Sequence, residues 1–62
     1  MTLEIRIKYH KAEIHVVDSQ NNRPISIIKS SLETLSSDIV RLMSIYKVCK
    51  VKRVKKPLLV NP

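Results

Sequence analysis

Not one of the 62 residues of this chain is glycine. Average usage of about 7% would supply roughly four. Glycine lets backbone turn through left-handed conformations and approach a ligand closely, so its absence limits both turns and chemistry. A P-loop, a dinucleotide-binding fingerprint, a nucleophile elbow and an EF-hand loop each need it at fixed positions. All four are excluded. Where the chain needs a left-handed residue, asparagine is the next choice. Asn21-Asn22 lies in the one clear loop, Ser19-Gln20-Asn21-Asn22-Arg23-Pro24, a polar cluster closed by proline.

Size sets a second limit. A chain this short buries only about 60% of the surface that its unfolded form exposes, and it usually calls on a disulfide, a metal or a partner subunit. Cys49 is the sole cysteine, so an intramolecular disulfide is impossible and a disulfide-rich secreted scaffold is excluded. A partner subunit is the reinforcement that remains. The longest apolar run is three residues, too short for a membrane span. The first residues alternate charged and apolar side chains and lack the apolar core of a signal peptide. An intracellular, cytoplasmic protein is expected.

Within these limits, periodicity assigns the elements. Leu3, Ile5, Ile7 and Tyr9 alternate with Glu4, Arg6 and Lys8, the period of a half-buried strand. Ala12, Ile14 and Val16 repeat the pattern against Glu13, His15 and Asp18. Folding about His10-Lys11 sets Lys8 opposite Glu13, Ile7 opposite Ile14, Arg6 opposite His15 and Ile5 opposite Val16. Apolar residues then share one face and opposite charges pair on the other, which predicts a β-hairpin over 3–18. Ile25-Ser26-Ile27 predicts a short third strand near 25–28, with Pro24 suited to an edge. Ser30 and Glu33 match a capping box. Ile28, Leu32, Leu35, Ile39, Leu42, Met43 and Tyr46 recur three and four apart, which predicts an amphipathic helix over about 30–47. Its opposite side carries Ser30, Thr34, Ser37 and Ser44, a solvated face or one that a partner can approach closely; Ile45 lies outside the main stripe.

The expected fold class is therefore α+β: a small antiparallel sheet of two or three strands with one helix on its apolar face. Residues 1–47 form the domain, and 48–62 form a basic extended segment with an apolar tail. The helix stripe and Leu3, Ile5, Ile7, Ile14 and Val16 are the expected core.

Charge points to a partner. Lys47, Lys50, Lys52, Arg53, Lys55 and Lys56 place six of the twelve basic residues within ten positions, with no acid among them. The net charge of +7 is thus concentrated at one end. The segment repeats in threes, VCK, VKR and VKK. In a polyproline II helix Val48, Val51 and Val54 would form one ridge, whereas a strand would put cations on both faces, which suits an edge. A localised cationic segment predicts a polyanionic partner. A merely solubilising tail has no need of regularly interleaved valines.

The candidate nucleic-acid-binding residues are those six together with Arg6 and Lys8 on the outer face of the hairpin. Tyr9 and Tyr46 fall on apolar faces and leave no base-stacking platform. Recognition would run through the phosphate backbone with little sequence readout, and DNA and RNA fit equally. The alternative is a small accessory or homodimeric interaction module whose basic segment docks on an acidic protein surface. A membrane surface fits less well, because the apolar stripe precedes the cations instead of sharing their turns. Thr2 also stands where a myristoylation signal needs glycine, and the last residues are no prenylation box.

Reaction chemistry has little to draw on. His10, His15 and Cys49 lack zinc-ligand spacing. Cys49 lies among lysines that would favour its thiolate, but no histidine is near it in sequence. His15, Asp18 and Ser19 are neighbours in sequence only, and a triad needs geometry. The five carboxylates are dispersed. The expected function is non-catalytic nucleic-acid binding, with no metal, cofactor or small-molecule substrate.

Overall fold

The structure is a computed structural model that describes residues 1–60. Strand β1 runs over Thr2–Lys8 and β2 over Lys11–Asp18. They pair antiparallel, with Ile5 opposite Ile14 and Leu3 opposite Val16. This register differs by two residues from the expected one. Side-chain direction repeats every two residues, so the shift leaves the paired strand residues on their expected faces. It also gives Leu3 an apolar partner, where the expected register would have set it against Asp18. The turn accordingly falls on Tyr9-His10. Tyr9 has φ 58°, and a positive φ at only the first central position is the sign pattern of a II′ turn, which matches strand twist. Tyr9 is 83% exposed, off the apolar face to which alternation assigned it. Asn22, with φ 53°, takes the left-handed position in the next loop, as expected of asparagine in a chain without glycine.

Strand β3, Arg23–Ser31, is far longer than the expected 25–28. It pairs antiparallel with β2 from Asp18↔Arg23 to Lys11↔Ser31, with a bulge at Val16/Val17. The whole length of β2 offers unpaired backbone groups, and pairing them outweighs the weak strand propensity of Lys29-Ser30-Ser31. Ser30 is thus a strand residue, and the expected capping box does not form. Helix α1 spans only Leu35–Ile45, and its N-cap Thr34 makes no side-chain capping bond. Instead Ser30 Oγ donates to Asp38 Oδ2 at 2.6 Å, and the Ser31 and Thr34 hydroxyls bond at 3.0 Å. These contacts tie the end of β3 to the start of α1.

The core lies between α1 and one face of the sheet. Leu3, Ile14, Val16 and Leu42 are buried, and Met1, Ile28, Leu35, Ile39, Tyr46 and Val48 pack against them. Leu32 precedes the helix and Met43 lies on its flank, and both remain largely exposed.

The expected sheet of two or three antiparallel strands is corrected by a fourth strand. Lys50–Arg53 forms β4, which pairs parallel with β1, and the strand order is β3-β2-β1-β4. Parallel strands need a crossover connection, and α1 supplies it by carrying the chain from one sheet edge to the other. All four β4 residues are exposed. The middle of the basic segment, with Lys50, Lys52 and Arg53, is therefore an edge strand, while Lys47, Lys55 and Lys56 flank it.

Beyond β4, the tail crosses the sheet face that α1 leaves open. Arg6 donates to the Pro57 carbonyl, and the Leu59 and Val60 amides donate to Glu13. Glu13 and His15 are only 1% and 2% exposed, although both lie on the outer, charged face of the hairpin. Asn61 and Pro62, the last two residues of the expected tail, lie outside the described residues. No helix among the described residues is long and apolar enough to cross a membrane.

Candidate functional site

Three of the expected site residues, Lys50, Lys52 and Arg53, lie on a single sheet edge, and two more follow it. Lys50 and Lys52 pair with Thr2 and Glu4, while Val51 and Arg53 pair with Leu3 and Ile5. Paired residues share a face, so β4 presents Lys50 and Lys52 on the tail side and Arg53 on the helix side. Lys55 and Lys56 continue the row in the connector after β4, and both are exposed. The Val54 amide still donates to the Ile5 carbonyl at 3.0 Å, which keeps the start of this connector on the ladder.

Lys47 stands at the start of the row, in the loop after α1. That loop is tethered to the beginning of β1: the Met1 amino group donates to the Lys47 carbonyl at 2.9 Å, and the Cys49 amide donates to the Met1 carbonyl at 2.8 Å. Lys8 is exposed at the end of the hairpin, opposite Lys11. Arg6 lies inward of the edge, on the sheet face that the tail crosses. Its guanidinium donates to the Pro57 carbonyl at 3.0 Å, so it holds the tail as well as carrying charge.

The acids lie mostly elsewhere. Asp18 organises its own loop by accepting from the Gln20 amide at 2.9 Å and the Asn21 side chain at 3.3 Å. Asp38 is engaged by Ser30 and by Arg41, the latter at 3.0 Å. Glu4 is the exception, with its Oε2 3.5 Å from Lys52 Nζ. With its lysine exposed, the pair is worth about 0.2–1 kcal/mol and is screened by salt. The β4 edge thus keeps a net positive field.

Sequence reasoning missed Glu13 and His15. Glu13 Oε1 lies 2.9 Å from His15 Nε2 and accepts the Leu59 amide at 2.9 Å, while Oε2 accepts the Val60 amide at 2.6 Å. Burial pushes the Glu13 carboxyl up. The Leu59 amide, the His15 ring and the Val60 amide together outweigh it and hold the group below its ordinary value. The available signal was indirect: Leu58-Leu59-Val60 is an apolar run, and the outer face of a central strand was the place left to receive it.

Cys49 is exposed, and its Sγ lies 3.6 Å from Ser19 Oγ and 3.8 Å from the Met1 amino group. The Ser19 hydrogen bond, with the Met1 ammonium beside it, outweighs desolvation and lowers the thiol pKa. No three of the His, Cys, Asp and Glu side chains among the described residues come together as a metal-holding group. No protein family, curated protein or solved structure matched the chain.

Proposed function

We propose that this protein binds nucleic acid non-catalytically, through the phosphate backbone, with the β4 edge and its flanks as the contact surface. The observation that carries the reading is the row of Lys50, Lys52 and Arg53 on one exposed edge, continued by Lys55 and Lys56, with Glu4 as the only acid paired to it among the described residues. Lys47 extends the row at its start. Lysines on an edge strand also repel a second such edge, which leaves this one open to a polyanion. Both sheet faces beside it are covered, one by α1 and the other by the tail. The edge therefore offers charge and little apolar surface, which suits backbone contact more than base readout.

The test is a titration with duplex DNA, duplex RNA and single strands between 50 and 300 mM salt. If all six cations of the segment engage phosphates, the logarithmic salt slope is on the order of −5, about a thousandfold loss between 50 and 200 mM. Each Lys→Gln change at Lys47, Lys50 or Lys55 reduces the slope by about one. Absence of binding at 50 mM salt would reject the proposal.

A second reading, a protein-interaction module, draws on α1. Val40 and Ile45 are 67% and 66% exposed there, and in this reading the cations meet an acidic protein surface. Concentration-independent sedimentation as a monomer, with no effect of Ile45→Lys on any binding measured, would remove it.

A further inference from the structure

Between the tail and the sheet lies a polar cleft of about 360 Å³, bordered by Arg6, Lys52 and Lys56 with Glu4, His15 and Asn22. These six residues come from β1, β4, the connector, β2 and the loop before β3, so only the folded chain brings them together. Among the described residues the cleft holds three cations and one partly buried acid, and it reaches the buried His15 ring. Arg6 supplies a further observation. One of its terminal nitrogens donates to the Pro57 carbonyl, while its buried Nε–H has no acceptor among the described residues. A buried donor without an acceptor is costly and rare; an anion in the cleft would meet the guanidinium fork and reach this Nε–H through a shift of the Arg6 side chain. A phosphate group suits this donor set, because the guanidinium fork matches its oxygens and flexible ammonium groups complete the shell.

We propose that this cleft seats one phosphate group, held by Arg6, Lys52 and Lys56 with the Asn22 side-chain amide as a further donor. The proposal rests on the nucleic-acid reading for its natural ligand and names where along the cationic edge a single phosphate is gripped instead of loosely neutralised. Glu4 competes for Lys52 at 3.5 Å, so among the described residues it is the one acid bordering the cleft that opposes the ligand. Glu13 acts at a distance. By holding Leu59 and Val60 it fixes the tail, and with it the position of Lys56. It is a positioning residue.

The test is a titration of isotope-labelled protein with inorganic phosphate, against chloride at equal ionic strength, followed at the Arg6 Nε–H and Asn22 Nδ2 signals. Both signals should move saturably. Glu4→Gln should tighten binding and Lys56→Gln should weaken it, each by roughly threefold, as for the gain or loss of one partly exposed charge contact. Tightening by Glu4→Gln is the discriminating readout, because a variant that merely disturbed the fold would not improve binding. Absence of saturable movement, or movement no larger than at Lys47, overturns the cleft.

A 5′-phosphorylated oligonucleotide and its unphosphorylated twin then separate the sources. A preference for the first assigns a terminal phosphate, and equal binding with the same Glu4→Gln gain assigns an internal one. The steep salt slope of polymer binding, reduced by about four by changing Lys47, Lys50, Arg53 and Lys55 together, is read separately. If the slope survives while the cleft signals stay still, only the cleft assignment falls. If the cleft binds inorganic phosphate but no polymer binds at low salt, the nucleic-acid reading falls instead.

Discussion

Three residues show how a side chain's neighbours, more than its type, decide its behaviour. Tyr9 occupies a left-handed turn position at φ 58° while 83% exposed, so it bears a backbone cost without a packing return. Glycine relieves a left-handed cost of about 1–2 kcal/mol and brings back part of it as unfolded-state entropy. Tyr9→Gly should therefore raise stability by about 0.5–1 kcal/mol, read as a higher urea midpoint at unchanged slope. Glu13 has a pKa held below its ordinary 4.5. The unfolded chain takes up that proton first, so the contribution of Glu13 is full above about pH 4.5 and is lost as pH falls through the lower folded value. Thermal midpoints measured between pH 7 and pH 3 should show this acid loss, and Glu13→Gln should lose stability at pH 7 while flattening the acid limb. Cys49 should alkylate faster at pH 7 in the folded protein than in urea, because the Ser19 hydrogen bond and the Met1 ammonium favour its thiolate. The cationic residues themselves were legible in the sequence, since charge is a property of composition. The buried Glu13–His15 pair was not. Alternation correctly put both on the outer face of β2, but nothing local revealed that this face would be covered.

At the level of elements, the legible parts are those in which one residue's neighbours in sequence are also its neighbours in space. The first hairpin and the helix stripe are of this kind. Leu35, Ile39, Leu42 and Tyr46 face the sheet as their spacing required. Leu42 is the one buried side chain of α1, so Leu42→Ala should cost about 2–5 kcal/mol, measured by chemical denaturation. Val40→Ala, on the exposed side, should cost under about 0.5 kcal/mol. Element ends were less legible. Ser30 and Glu33 carried a helix-start pattern, yet Ser30 joined β3 because β2 offered it a ladder. β4 was the hardest to see, since its cations lie on both faces and its four residues carry no apolar period. Its strand state depends on the free edge of β1, which lies some fifty positions earlier in the chain.

The whole molecule is a sheet with a helix on one face and its own tail on the other, and the two covers differ in kind. The helix side is closed by apolar packing. The tail side is anchored by Arg6 on Pro57 and by Glu13 on Leu59 and Val60, and Leu59 remains largely exposed. Folding also gathers like charges along one edge, so a net charge of +7 opposes compaction. Raising salt from 20 to 300 mM should therefore raise the thermal midpoint of the free protein, the reverse of its effect on polymer binding. Scanning calorimetry on the one sample and titration on the other would read the two trends. By itself the sequence determined an α+β chain with one hairpin, one amphipathic helix and an uneven distribution of cations, because periodicity and charge are read along the chain. Only the tertiary structure decided that the middle of the basic segment is a parallel edge strand, that the tail masks Glu13 and His15, and that Arg6, Lys52 and Lys56 border one cleft. Each of these depends on backbone groups and side chains far apart in sequence, whose pairing is chosen by which edges and faces the rest of the fold leaves unfilled.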